Sequence, residues 1–290
     1  MKTRKIWVGI GTFIMVGGAV GTTASVSAGP SVSVGSLMRA SPSFPAPQAP
    51  PGGFILAQQH GGGEAGENGG EAGVGDLPPD LAFAVRIALI RGHLLIGDEL
   101  VQLKQWAAAL PHFLHPGEEI YKDLAEQLDA YKVAPFDRSL KALADVVKAR
   151  KGGTDYARTR ASVNSVLASA DARLKEKQSA GWAGFQIEAA VEMLKIAGSE
   201  YGAAIDKGRI AKPVEYQDAR GFITHADQMI EAVAADLEKK DAAALKQVRA
   251  SLAELKKAFP KAMPPKTPIR DQASVLSDIA RVELAAGRLM

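Results

Sequence analysis

Residues 182–206, WAGFQIEAAVEMLKIAGSEYGAAID, decide the fold class. Ile187, Val191, Leu194, Gly198, Tyr201 and Ile205 recur at alternating steps of four and three, which draws one narrow apolar seam along a helix. The stretch 214–239 repeats the pattern with Tyr216, Ala219, Ile223, Ala226, Ile230, Val233 and Leu237. No run of alternating β-branched residues anywhere downstream of Leu77 suggests a strand.

Working outward, Pro78-Pro79 is a helix-start signal, and Leu81, Val85, Leu89, Ile96, Leu100 and Leu103 follow at helical spacing. Further helices are predicted at 105–115, 117–131, 136–151, 154–176, 182–206, 214–239, 241–259 and 270–288. The breaks fall at Pro116, Pro135, Gly152-Gly153, Gly181, Pro213 and 260–268, and Asp241 suits an N-cap. Long amphipathic helices on short connections make antiparallel bundles. The expected fold is all-α, an antiparallel helical bundle of about eight to nine helices over 77–290. Lys104-Gln-Trp-Ala-Ala-Ala-Leu110 and Lys239-Lys-Asp-Ala-Ala-Ala-Leu245 each follow a histidine-bearing helix, an echo that fits two pseudo-repeated halves. Ile96-Gly97, Trp106, Ala109 and Phe113 have the spacing of a single helical hairpin, without the further copies a solenoid needs.

The amino terminus is of another kind. Lys2, Arg4 and Lys5 precede an apolar run from Ile6 to Val20 and a small-residue exit at Ala24–Ala28, the layout of a secretory signal peptide over 1–28. The run is short for a bilayer span, and its glycines favour a cleavable end, so no stable membrane span is expected after cleavage. Residues 29–76 hold 12 glycines and 6 prolines, too little apolar surface to offset ordering, and read as a tether. The expected location is periplasmic or secreted.

Composition removes several functions. The chain of 290 residues has no cysteine, which excludes disulfides, thiolate metal sites, Cys nucleophiles and iron–sulfur clusters. Its 35 Lys+Arg against 32 Asp+Glu are interspersed along helical patterns, with no basic block to track a phosphate backbone, so nucleic acid is not an expected partner. A hydrolytic triad, a phosphate-binding glycine loop and a dinucleotide fingerprint are absent as spacings.

The remaining chemistry lies in histidine. His112-Phe-Leu-His115-Pro-Gly-Glu118-Glu119 is the densest set of donors. Continuous helix would bring both imidazoles and a carboxylate to one side, suited to iron, zinc or copper; a break at Pro116 would leave the same residues as helix-end charges. A tight turn at Val101–Lys104, unmarked by Gly or Pro, would set His93 and His112 about eight residues from it on facing helices. The expected ligands are therefore His93, His112, His115 and Glu119, with His225 as a contribution from the second half. Each has a structural alternative: His93 lies on an apolar face and His225 at a seam edge, places where histidines are hydrogen-bonded core groups. Glu188 and Glu192, four apart, form a carboxylate pair or a solvated edge.

A cysteine-free, alanine-rich helical chain with an exported start and a histidine helix in each half resembles the imelysin-type periplasmic proteins of iron uptake. That family's G-x-H-x-x-E signature is not intact. Gly92-His93 lacks the intervening residue and has Ile96 at the glutamate position, while Gly221-Phe-Ile-Thr-His225-Ala-Asp-Gln228 has a longer gap and a glutamine. The resemblance implies a non-catalytic metal-binding protein, an accessory to iron uptake with a metal-uptake partner in the envelope. The alternative is a helical interaction or scaffold module whose histidines are structural. An enzyme is a third reading, since a metal with an open coordination position can do redox or hydrolytic work.

Overall fold

The computed structural model describes residues 71–290; the expected signal peptide and residues 29–70 of the expected tether lie outside the described residues. Among the described residues the chain is an all-α helical bundle: α1 (Pro79–Gln102), α2 (Trp106–His115), α3 (Tyr121–Ala125), α4 (Asp137–Lys148), α5 (Gly153–Lys177), α6 (Trp182–Ala204), α7 (Pro213–Ala232), α8 (Ala234–Lys256) and α9 (Gln272–Ala286).

Helix α1 is the centre. Sixteen of its 24 residues are buried, so it is covered all round rather than along one stripe, as a helix packed between layers must be. It packs against α2, α6 and α7, α2 also touches α7, and α6, α7, α8 and α9 pack among themselves. The approach of α1 to α7 is unusually close, and glycine permits it. A Cβ on Gly221 would stand 2.4 Å from the carbonyl oxygen of Gly92, and one on Gly92 would stand 2.5 Å from the Phe222 ring. The same two helices are clamped by Arg220, whose Nε and Nη2 donate to the Glu99 carboxylate at 3.2 and 3.0 Å. Position and orientation of α1 against α7 are therefore fixed at two points.

Helix α1 ends where the expected turn falls. Lys104 takes a left-handed backbone (φ 58°), and the Gln105 amide donates to the Leu100 carbonyl at 2.8 Å. A lysine thus does what glycine commonly does, which is why no Gly or Pro marks the site.

Four expected boundaries are corrected. Residues 71–76, placed in the tether, form a 3-10 turn anchored by buried Val74 against α1. The expected helix 117–131 is a π-turn over Pro116–Ile120 followed only by the short α3, because Pro116 cannot donate into the preceding helical ladder. The seam of 182–206 stops at Ala204; Ile205–Asp206 and Arg209–Ile210 form a two-residue antiparallel ribbon. Its turn places Lys207 and Gly208 at φ 47° and 72°, the left-handed pair that a tight hairpin requires. The expected helix 214–239 breaks at Val233, and the kink lies inside α8 at Asp241 (φ −159°, ψ 91°). Asp241 there accepts from the Ala244 amide at 2.9 Å, the N-cap its sequence position suggested.

Candidate metal centre

The site lies where α1, α2 and α7 meet, and one carboxylate organises it. Asp218 of α7 is 3% exposed, and its Oδ1 stands 2.7 Å from His93 Nδ1 and 2.7 Å from His112 Nδ1. His115 Nδ1 is 3.5 Å from Asp218 Oδ2. Three imidazoles from two helices thus converge on a single carboxylate of a third.

Local structure explains each placement. His93 follows Gly92, so it sits at the closest approach of α1 to α7, its ring edge-on to Phe222 with centroids 4.9 Å apart. His112 and His115 occupy consecutive turns at the end of α2, three residues apart and on one side. The backbone remains helical through Pro116 and widens into the π-turn, which brings Glu119 Oε1 to 4.0 Å from His115 Nε2. Such π-turns occur often at functional sites.

The amide of Gln217 sets the tautomer of His112. Its Nε2 donates to the Ala262 carbonyl at 3.2 Å, so its Oε1 is the atom facing His112 Nε2 at 3.0 Å and accepts from it. With the hydrogen on Nε2, the Nδ1 lone pair points at Asp218 Oδ1. Two electron-rich atoms 2.7 Å apart need a cation: a proton fits between them as they stand, while a metal ion held by both would require them to separate to roughly 3 Å or more. Outer partners that fix ring orientation in this way are a regular feature of metal-binding histidines.

Charge in the site is polarised. Burial works to raise the pKa of Asp218, but the neighbouring His93 and His112 and the hydrogen bonds from His112 and His115 hold it well below the usual carboxylate range. Burial opposes a charged His115, yet its hydrogen bond to Asp218 prevails, with the charges of Asp218 and Glu119 assisting and His93 opposing, so its pKa is raised.

His93, His112 and Asp218 offer one donor atom each within 4.8 Å of one another, and all three residues are buried. Ligands of one zinc-sized ion sit about 2.0–2.2 Å from it, so opposed ligands stand roughly 4 Å apart. The 2.7 Å contacts of Asp218 are shorter than that, so the carboxylate and the imidazoles would move apart to admit an ion. A cavity of about 10 Å³ adjoins it, lined by His93, His115, Glu119, Glu200, Glu215, Asp218 and Phe222. That is room for one water molecule or one ion. Imidazole and carboxylate without sulfur is a donor set for iron, zinc or copper.

His93, His112, His115 and Glu119 are therefore brought together, and His225 is not. It shares a face of α7 with Asp218, but seven residues separate them, about 10 Å along the axis. His225 lies instead in a separate cleft with Arg91, Asp171 and Gln228. The Glu188–Glu192 pair does not reach the site as a pair either; Glu192 accepts from Lys195 at 2.9 Å. What the sequence reading did not single out as ligand or support is Asp218, together with Gln217. The available signal was Asp218, Gly221 and Phe222 on one side of α7, a carboxylate beside a small and an aromatic residue where two helices cross.

Residues 179–290 match the iron permease-associated 4-helix bundle domain, and they contain α6, α7, α8 and α9. The C-terminal part of the chain is thus similar to a helical bundle domain associated with iron permeases, which agrees with the iron-uptake side of the resemblance and does not bear on its imelysin-type side. No curated protein and no solved structure matches the chain. The match includes Asp218 and Gln217 on α7, while the three clustered histidines lie upstream of it on α1 and α2. No described helix is long and apolar enough to cross a membrane.

Proposed function

We propose that this chain is an exported, non-catalytic metal-binding protein that serves an iron-uptake system of the cell envelope. His93, His112 and Asp218 are the inner ligands, and His115 from the end of α2 and Glu119 from the π-turn complete the set. The observation that carries the reading is the convergence of three imidazoles on one buried carboxylate, with Gln217 orienting a ring nitrogen toward it. The similarity of 179–290 to an iron permease-associated domain favours iron as the metal and a membrane permease system as the partner. The basic, apolar and small-residue order of 1–28 supports export to the periplasm. In this reading the chain holds a metal ion and contributes no bond-making step.

The second reading, structural histidines in a scaffold, is favoured by the same 2.7 Å contacts if protons occupy them. Calorimetric titration of untagged protein with iron(II), zinc(II) and copper(II) in buffers of different ionisation enthalpy separates the two. The proposal expects one equivalent bound with proton release, because metal displaces protons from the imidazoles. Asp218→Asn is expected to weaken binding by about 100-fold or more. No binding by wild type, or equal binding by Asp218→Asn, would leave the scaffold reading in its place.

A further inference from the structure

We propose that the cleft between α1, α5, α6 and α7 is a second binding site, for a small organic monocarboxylate with an aromatic or branched apolar body. The cleft measures about 410 Å³. That lies within the usual range for small-molecule sites, roughly 300–1,000 Å³. It stands apart from the histidine cluster: Arg91 and His93 are two residues apart on α1, about 200° around the helix, so they face opposite sides.

The lining specifies the ligand. Ala84, Ala88 and Met229 give it an apolar floor, with Trp182 available to cover a flat body. Polar groups gather beside the floor. Arg91 donates through Nη2 to Asp171 at 2.5 Å, while its Nε and Nη1 have no hydrogen-bond partner among the described residues. A guanidinium presents a planar fork, so this open edge suits a carboxylate, with exposed Lys175 nearby. Asp171 remains beside Arg91, so the lining carries two cations and one anion, enough to favour a single negative charge and too little for a phosphate dianion. His225 is neutral at physiological pH, since burial and then Arg91 lower its pKa to about 4. Its Nδ1 faces Gln228 Oε1 at 3.4 Å, which leaves Nε2 for the ligand and adds no further charge.

The test is calorimetry on the full mature chain with 2-naphthoate, and with 2-naphthalenemethanol as its uncharged counterpart. One saturable site for naphthoate is expected, with the alcohol at least about tenfold weaker, the scale of one charge-assisted contact. Arg91→Gln should weaken naphthoate by about tenfold or more. Ala232→Leu fills the cleft from an exposed position and should abolish binding; it decides the matter if Arg91→Gln does not fold. No saturable heat up to millimolar naphthoate, equal binding of the alcohol, or binding untouched by the folded variants would overturn the site. Metal binding is measured separately and its failure would leave this result standing.

Discussion

Helix α1 separates two histidine centres that use the same side chain to opposite effect. On the α2 and α7 side, Asp218 gathers His93, His112 and His115, and the carboxylate favours charged imidazole; the pKa of His115 is raised above its ordinary 6.5. In the cleft lined by α5 and α6, burial and then the charge of Arg91 lower the pKa of His225 to about 4. Burial opposes the charge in both places. At His115 the Asp218 carboxylate overcomes burial, whereas at His225 the Arg91 guanidinium adds to it. Histidine content alone therefore says little about function; the fixed charge beside each ring says more.

The comparison depends on α1 lying close enough to α7 to bring His93 to Asp218, and the largest expected effect comes from prising them apart. Gly221→Ala places a Cβ against the Gly92 backbone, which cannot swing aside as a side chain can. A loss of roughly 2–3 kcal/mol is expected in urea denaturation, together with weakened metal binding. Wild-type stability and affinity in that variant would show that the close crossing does not position the site.

A smaller effect separates the centres by pH. An unfolded His225 takes a proton near its ordinary 6.5, whereas the folded one resists until about pH 4. The unfolded state thus binds the extra proton, and stability falls as pH drops through that window, by on the order of 2 kcal/mol. His115 behaves in reverse: its contribution is complete below 6.5 and is lost as pH rises through its raised pKa. Denaturation midpoints from pH 4 to 8 on metal-free protein should show His225→Gln flattening the acid limb and His115→Gln the alkaline one. Unchanged limbs in both variants would contradict the assigned partners.

The smallest expected effect is none. His225→Gln should leave metal affinity within about twofold of wild type, since His225 lies about two helical turns from Asp218. A loss comparable to that of His112→Ala would join the two centres after all.

Much of this was legible in the chain because helical seams are local. Ile187 to Tyr201 marked α6, and Pro78-Pro79 marked the start of α1. The His112–Glu119 cluster and its facing His93 followed from spacing and one assumed turn, which Lys104 supplies in a left-handed conformation. Asp218 was not legible in the same way. Its role arises from two helices crossing at Gly92 and Gly221, a contact 129 residues apart in sequence that no local period encodes. His225 misled for the complementary reason: its spacing from Asp218 preserves the face but not the level along the axis. The kink at Asp241 and the turn of Lys207 and Gly208 likewise interrupt seams whose apolar positions run on through them.

The central claim is that Asp218 and its imidazoles hold a metal ion, and anomalous diffraction tests it most directly. Crystals of the untagged protein grown with iron(II) or zinc(II) should give a peak at the metal edge within bonding distance of His93, His112 and Asp218, and none beside His225. A metal-saturated crystal with the peak elsewhere, or with protonated hydrogen bonds intact at Asp218 and no peak there, would contradict it.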